Sequence, residues 1–183
     1  MHHLGTKKLE TKRLILRKFN NDDYINMYNN WAKEKEVARF MPWSSHKNTE
    51  ETKNIIDLWI SKYENSNEYN WVIEIKESNE IIGTITVVKQ SESNDCCEIG
   101  YASGTKYWGH GYMPEALKRV IKFLFEEVGF HRIEAKHATE NPNSGKVMQK
   151  SGMTYEGTLK QKFKLNDGTY VDTKIYGIIN NVK

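Results

Sequence analysis

The sequence predicts a single α/β (α+β) domain, a mixed and mostly antiparallel seven-stranded sheet flanked by about four helices. Three observations carry that expectation. Strand-like alternation occupies both ends of the chain, one strong helical stripe lies between them, and no proline-rich or low-complexity tract offers a linker. At 183 residues, 38% hydrophobic and 28% charged, the chain suits one core spanning residues 9–180.

The elements follow in order. Leu14 and Leu16, flanked by Arg13 and Arg17, alternate as a first strand. Asn21 or Asp22 is placed to cap a helix through Trp31, with Tyr24, Met27, Tyr28 and Trp31 on one face. Asn48 and Glu51 have capping spacing for a second helix that carries Ile55, Ile56, Trp59 and Ile60. The period then becomes two at Trp71, Ile73 and Ile75; Glu77–Glu80 reads as a turn, Ile81–Val88 as a strand, and Cys96–Ala102 as a fourth strand. Met113, Ala116, Leu117, Val120, Ile121, Leu124, Phe125 and Val128 form one apolar helical stripe, which Gly129 stops. Arg132–His137 is a short strand and Asn143–Ser151 a short helix. Met153–Phe163 and Tyr170–Ile179 close the chain as a hairpin across Asn166-Asp167-Gly168.

Composition narrows the function. Lys plus Arg number 27 against 24 Asp plus Glu, a balance too even for a nucleic-acid partner. No segment approaches the roughly 18 apolar residues of a membrane span; Ile81–Val88 is interrupted by Gly83, Thr84 and Thr86. The first residues lack the apolar stretch of a secretory signal, so a cytoplasmic location and no membrane partner are expected. Cys96 and Cys97 are adjacent, which suits neither a disulfide framework nor a zinc site, and His131 and His137 have no ligand spacing with other His or Cys, so no metal is expected. Lys160, Lys162 and Lys164 recur at period two, as on a charged edge strand that resists aggregation.

The segment Tyr107-Trp108-Gly109-His110-Gly111-Tyr112-Met113-Pro114-Glu115-Ala116 joins a strand to the best helix. Two glycines around one residue let backbone N–H groups converge at a helix start, where the dipole favours an anion such as a pyrophosphate. An ordinary glycine turn has the same appearance. The segment lacks the Gly-Lys-Ser/Thr of a P-loop, and Pro114 stands where a Rossmann fingerprint needs its third glycine.

Lys106-Tyr107-Trp108-Gly109-His110-Gly111, with Asn141-Pro142-Asn143-Ser144 and Lys150-Ser151-Gly152 some way on, resembles the GNAT superfamily of acetyl-CoA-dependent N-acetyltransferases. Lys106 replaces the Gln or Arg that opens that family's loop. The strand Arg13–Arg17, Met41-Pro42-Trp43 and Glu98-Ile99-Gly100-Tyr101 are similar to the RimJ/RimL-type branch, which acetylates N-termini of ribosomal proteins. The resemblance spans about Leu9 to Ile179 and implies a GNAT-like fold whose sheet splays between the fourth and fifth strands. It implies that Gly109, His110, Gly111, Tyr112 and Met113 hold the pyrophosphate of acetyl-CoA through backbone amides. Gly100, Tyr101 and Ala102 would pair with the pantetheine arm as an added strand does, and Asn141 would bond to the same arm.

Direct attack of an amine on the thioester needs a base, oxyanion stabilisation and a proton for the leaving thiolate, but no protein nucleophile. Glu98, on the strand beside the expected thioester, is the candidate base. Many members of the superfamily place a tyrosine seven residues after the helix-opening asparagine; here that position is Met148, which has no proton to give. Ser144, one turn earlier, is therefore the candidate acid. Asn141 as a plain helix cap and Ser144 as a plain helix-start residue remain alternatives. The acceptor is expected to be a protein N-terminal α-amine, with a small-molecule amine such as a polyamine, or a non-catalytic acyl-CoA-binding module, as the alternatives. The sequence is compatible with a homodimer.

Overall fold

The structure, a computed structural model, describes residues 1–181. In chain order its elements are β1 (Leu9–Glu10), β2 (Leu14–Arg17), α1 (Asp23–Met27), α2 (Lys35–Ala38), α3 (Thr49–Lys62), β3 (Asn70–Ile75), β4 (Ile81–Ser91), β5 (Cys96–Ser103), α4 (Tyr112–Phe123), β6 (Arg132–Ala138), α5 (Pro142–Lys150), β7 (Thr154–Lys164) and β8 (Tyr170–Ile179). Single π turns continue α1 through Ala32 and α4 through Val128.

Among the described residues the sheet has eight strands in the order β1-β2-β3-β4-β5-β6-β8-β7. One strand more than expected is present because Leu9–Glu10, two residues long, pairs with Leu16 and Ile15. Two residues are too short a run to show a period. Every pairing is antiparallel except β5 with β6. That parallel pair holds only at Cys96↔Arg132, Cys97↔Ile133 and Glu98↔Glu134. Beyond Glu98 the strands part, so β5 from Ile99 to Ser103 is laddered to β4 alone. The expected splay is present.

Alternation along the strands feeds two cores. Trp71, Ile73, Cys97 and Ile99 pack with the stripe of α4, whose Ala116, Leu117, Val120, Phe123 and Leu124 are fully buried. Val72, Ile81 and Ala102 face the other way, onto Met27, Trp31, Val37 and Ile56. Burial of this kind contributes roughly 1.5–3 kcal/mol per large apolar side chain.

Local details differ from expectation at two places. Asn48 caps α3 as expected, accepting from the Glu51 amide at 2.9 Å. Neither Asn21 nor Asp22 caps α1 with its side chain. Asp22 already has helical backbone (φ −88, ψ −10), so its side chain does not fold under the first amides. Asp23, nearly buried, accepts from the Asn20 amide at 2.8 Å and pairs with Arg17 at 2.7 Å. On β7, Gln161 has φ +44 and the register shifts between Leu159 and Phe163, which breaks the period expected of Lys160, Lys162 and Lys164. All three lysines are exposed on this edge strand, and Lys160 pairs with Asp172 at 2.8 Å.

Candidate active site

A cleft of about 630 Å³ opens where β5 leaves β6. Its walls include Tyr101, Ala102 and Ser103 of β5, the loop Trp108–Gly109 with Gly111, the first turn of α4 and the start of α5. Gly109 and Gly111 have φ of +82 and +77, the left-handed region that favours glycine. Gly111 occupies the N-cap of α4, and among the described residues no side chain caps the helix there. The amides of the first turn are thus left to a ligand or to water. A Cβ at Gly109 would meet nothing within 4 Å, so the backbone faces open space.

The loop is braced from behind. Arg13 donates to the His110 carbonyl at 3.0 Å and to Glu115 at 2.7 Å, and its guanidinium lies 4.5 Å from the Tyr112 ring centroid. Thr11 donates to the same carboxylate at 2.6 Å. Burial pushes the Glu115 carboxyl up, but the hydrogen bonds from Thr11 and Arg13 outweigh it and hold the group below the usual carboxylate range. Arg13 therefore offsets an acidic charge that would oppose an anion at this helix end.

Ser144 is fixed by Tyr101. The Tyr101 hydroxyl donates to the Ser144 carbonyl at 2.8 Å and lies 2.9 Å from Ser144 Oγ. Burial pushes the phenol well above its ordinary range, so it keeps its proton at any physiological pH. Asn141 is both cap and wall: its Oδ1 accepts from the Ser144 amide at 3.4 Å, and the residue lines the cleft. Met148 is 1% exposed and packed in the core, so it does not face the cleft.

Of the residues expected to form a site, the fold gathers Tyr101, Ala102, Gly109, Gly111, Tyr112, Met113, Asn141 and Ser144 on one cleft. Glu98, Gly100 and His110 are not on its walls. Glu98 is the last β5 residue paired with β6, at the fork of the sheet, and its carboxylate meets Lys136 at 2.8 Å. Gly100 pairs with Thr86. His110 stacks on Tyr112 with centroids 5.7 Å apart. The cleft is also lined by Glu36, Val37, Arg39, Phe40 and Met41; the segment between the first two predicted helices was expected on the acceptor side with the last hairpin, but none of these five was named as a site residue.

Beneath α5, His137 Nδ1 donates to the Ala138 carbonyl at 2.7 Å, which leaves Nε2 as a lone-pair nitrogen, buried and without a partner among the described residues. Burial holds this imidazole below its usual pKa, so it is neutral. A Cβ at Gly145 would lie 2.6 Å from that nitrogen. Gly145→Ala is therefore expected to destabilise the fold by about 1–3 kcal/mol, read by denaturant or thermal unfolding. An unchanged midpoint would contradict this packing.

The Acetyltransferase (GNAT) domain family matches residues 13–154. An uncharacterized N-acetyltransferase of Bacillus subtilis strain 168 is 30% identical over 171 residues, 93% of this chain and 96% of its own. The [ribosomal protein uS5]-alanine N-acetyltransferase of Escherichia coli K12 is 27% identical over 175 residues, 90% of this chain and 87% of its own. Among solved structures, a GNAT-family acetyltransferase from Bacillus anthracis superposes with a TM-score of 0.83 at 27% identity, covering 95% of this chain and 99% of that one. RimL, a ribosomal L7/L12 α-N-protein acetyltransferase solved with coenzyme A, shares the fold at a TM-score of 0.86 and 22% identity, covering 97% and 100%. A sheet forked after Glu98, an uncapped glycine-flanked helix start beside the fork and a family match across residues 13–154 lead to one assignment: this chain belongs to the GNAT acetyltransferases and is an acetyl-CoA-dependent N-acetyltransferase.

Proposed function

We propose that this enzyme acetylates a protein N-terminal α-amine, with acetyl-CoA lying along the cleft from the Gly109–Met113 turn to the fork of the sheet. The observation that carries the reading is the Tyr101–Ser144 contact on the wall of a cleft that begins at an uncapped helix start. The choice of acceptor is supported by the uS5-alanine acetyltransferase, a relative along nearly the whole chain.

The residues present fit the coenzyme. The left-handed glycines open the backbone toward the space where a pyrophosphate would sit, and Lys146 and Lys150 on the same cleft supply cations. Main-chain groups of β5 past Glu98, free of β6, would pair with the amides of the pantetheine arm, and Asn141 borders the same path. Bound there, the coenzyme supplies an acetyl thioester.

This chain's own residues then move protons. An α-amine has an intrinsic pKa of about 7.7–8.0 and needs only a modest base. Glu98, at the fork but off the wall, receives the amine proton through a water. Ser144, whose hydroxyl proton rests on the Tyr101 oxygen, turns it to hydrogen-bond the departing sulfur, which leaves as a thiolate and takes its proton from water.

The test is thiol release from acetyl-CoA with a panel of N-terminal peptides, polyamines and other small amines. Turnover confined to small amines would overturn the protein acceptor. In the same assay, Glu98→Gln is expected to lower kcat/KM about 10²-fold at neutral pH and to recover toward pH 9, where the amine loses its proton unaided. A pH–rate profile superimposable on the parent's would remove Glu98 from the mechanism.

A further inference from the structure

We propose that Asn166, at the tip of the β7–β8 hairpin, is a positioning residue that sets the acceptor end of the cleft by clasping residues 38–43. The proposal rests on the acetyltransferase reading above. The hairpin turn does not use this side chain. Its bonds run from the Leu165 amide to the Thr169 carbonyl (2.8 Å), from the Gly168 amide to the Leu165 carbonyl (3.0 Å) and from the Thr169 amide to Asp167 Oδ1 (2.9 Å), with Gly168 at φ +90. The Asn166 amide reaches away from the turn, and Nδ2 donates to the Ala38 carbonyl at 3.0 Å and to the Trp43 carbonyl at 2.6 Å. An amide NH2 has two protons. Both are used, one at each end of a loop that lines the cleft.

Between those ends, Arg39, Phe40 and Met41 line the cleft, with Glu36 just before them. They line the same cleft as Ser144 of α5. This loop is thus the wall that an incoming amine meets, while the Gly109–Met113 turn is the wall that the coenzyme meets. Asp167, next to Asn166, has its carboxyl held below the usual range mainly by the Thr169 amide, with Arg39 of the clasped loop adding to the effect. The hairpin therefore acts on the loop by hydrogen bonds to its backbone. The cleft carries both signs of charge, Glu36 and Glu140 together with Arg39, Lys146 and Lys150.

The experiment compares the parent enzyme with Asn166→Asp, which keeps the shape and removes both donors. The acceptor KM, taken with the best peptide or amine of the panel, is expected to rise about tenfold, as for one or two lost hydrogen bonds. The KM for acetyl-CoA is expected to stay within twofold, and amide hydrogen exchange at residues 39–41 to quicken. An acceptor KM within twofold of the parent overturns the clasp. So does an acetyl-CoA KM that rises in parallel, which marks a general structural role. A parent enzyme that acetylates no amine counts against the proposed function instead, and the exchange rates at 39–41, read on the protein alone, then decide the clasp: unchanged rates overturn it.

Discussion

Introducing valine at Gly111 is expected to weaken coenzyme A binding about 10²-fold or more while leaving the domain folded. Hydrogen bonds to a charged group contribute about 1.5–3 kcal/mol each, so losing two backbone contacts to a pyrophosphate accounts for that size. Two effects act together. Gly111 sits at φ +77, where a β-branched residue costs about 1–2 kcal/mol and pulls the turn toward another conformation. The new side chain would also occupy space that lines the cleft. The position itself is roomy, since the nearest atom to a Cβ there is Arg13 Nη2 at 3.6 Å, so a gross packing failure is not expected. Calorimetric titration with coenzyme A, alongside thermal unfolding, reads both quantities. A folded variant with parental affinity would remove the pyrophosphate cradle from this loop. Gly109, at φ +82, carries the same expectation.

Removing the Ser144 hydroxyl is expected to cost about 10²–10³ in kcat with saturating acetyl-CoA, the usual price of one direct contact to developing charge. Tyr101→Phe should cost less, about tenfold, because the phenol acts through the serine. Its proton goes to the Ser144 carbonyl and its oxygen lies 2.9 Å from Oγ, so it fixes where the serine points. The double variant should then be no slower than Ser144→Ala alone, since residues that work as a unit are not additive. Additive losses would give Tyr101 an independent role. A Ser144→Ala rate within twofold of the parent would mean that the thiolate leaves without this serine.

Much of this was legible in the residues. The stripe Met113–Val128 became α4 and its π turn because eight apolar positions at helical spacing leave one buried face. The hairpin across Asn166-Asp167-Gly168 formed because Gly168 supplies the left-handed position the turn needs. The glycine loop was legible as a helix start open to an anion. What escaped depends on partners distant in sequence. Period two marks β5 and β6 equally well whether they pair for three residues or for seven, so their fork came from the family resemblance alone. Glu98 is on the expected strand but off the cleft wall, a distinction set by where β6 ends its pairing. Tyr101 was expected to contribute main chain; that its hydroxyl meets Ser144, 43 positions away, follows only from the packing of α5. Cys97 is buried, with its thiol pushed up by burial, while its neighbour Cys96 is half-buried, as alternation along a strand requires.

The three-pair join between β5 and β6 divides the ladder into two leaves, β1–β5 and β6–β8–β7. On the α4 side one apolar core still spans both, from Ile99 to Ile133 and Tyr176. On the ladder itself, cooperativity crosses the join through only a few backbone bonds. A molecule lying in the cleft touches β5 of one leaf and α5, which joins β6 to β7 of the other, so part of its binding free energy becomes coupling between them. Without it, the smaller leaf opens at a lower free energy than the larger. With it, the two unfold as one unit, and the ligand contributes stability in proportion to the logarithm of its concentration above Kd.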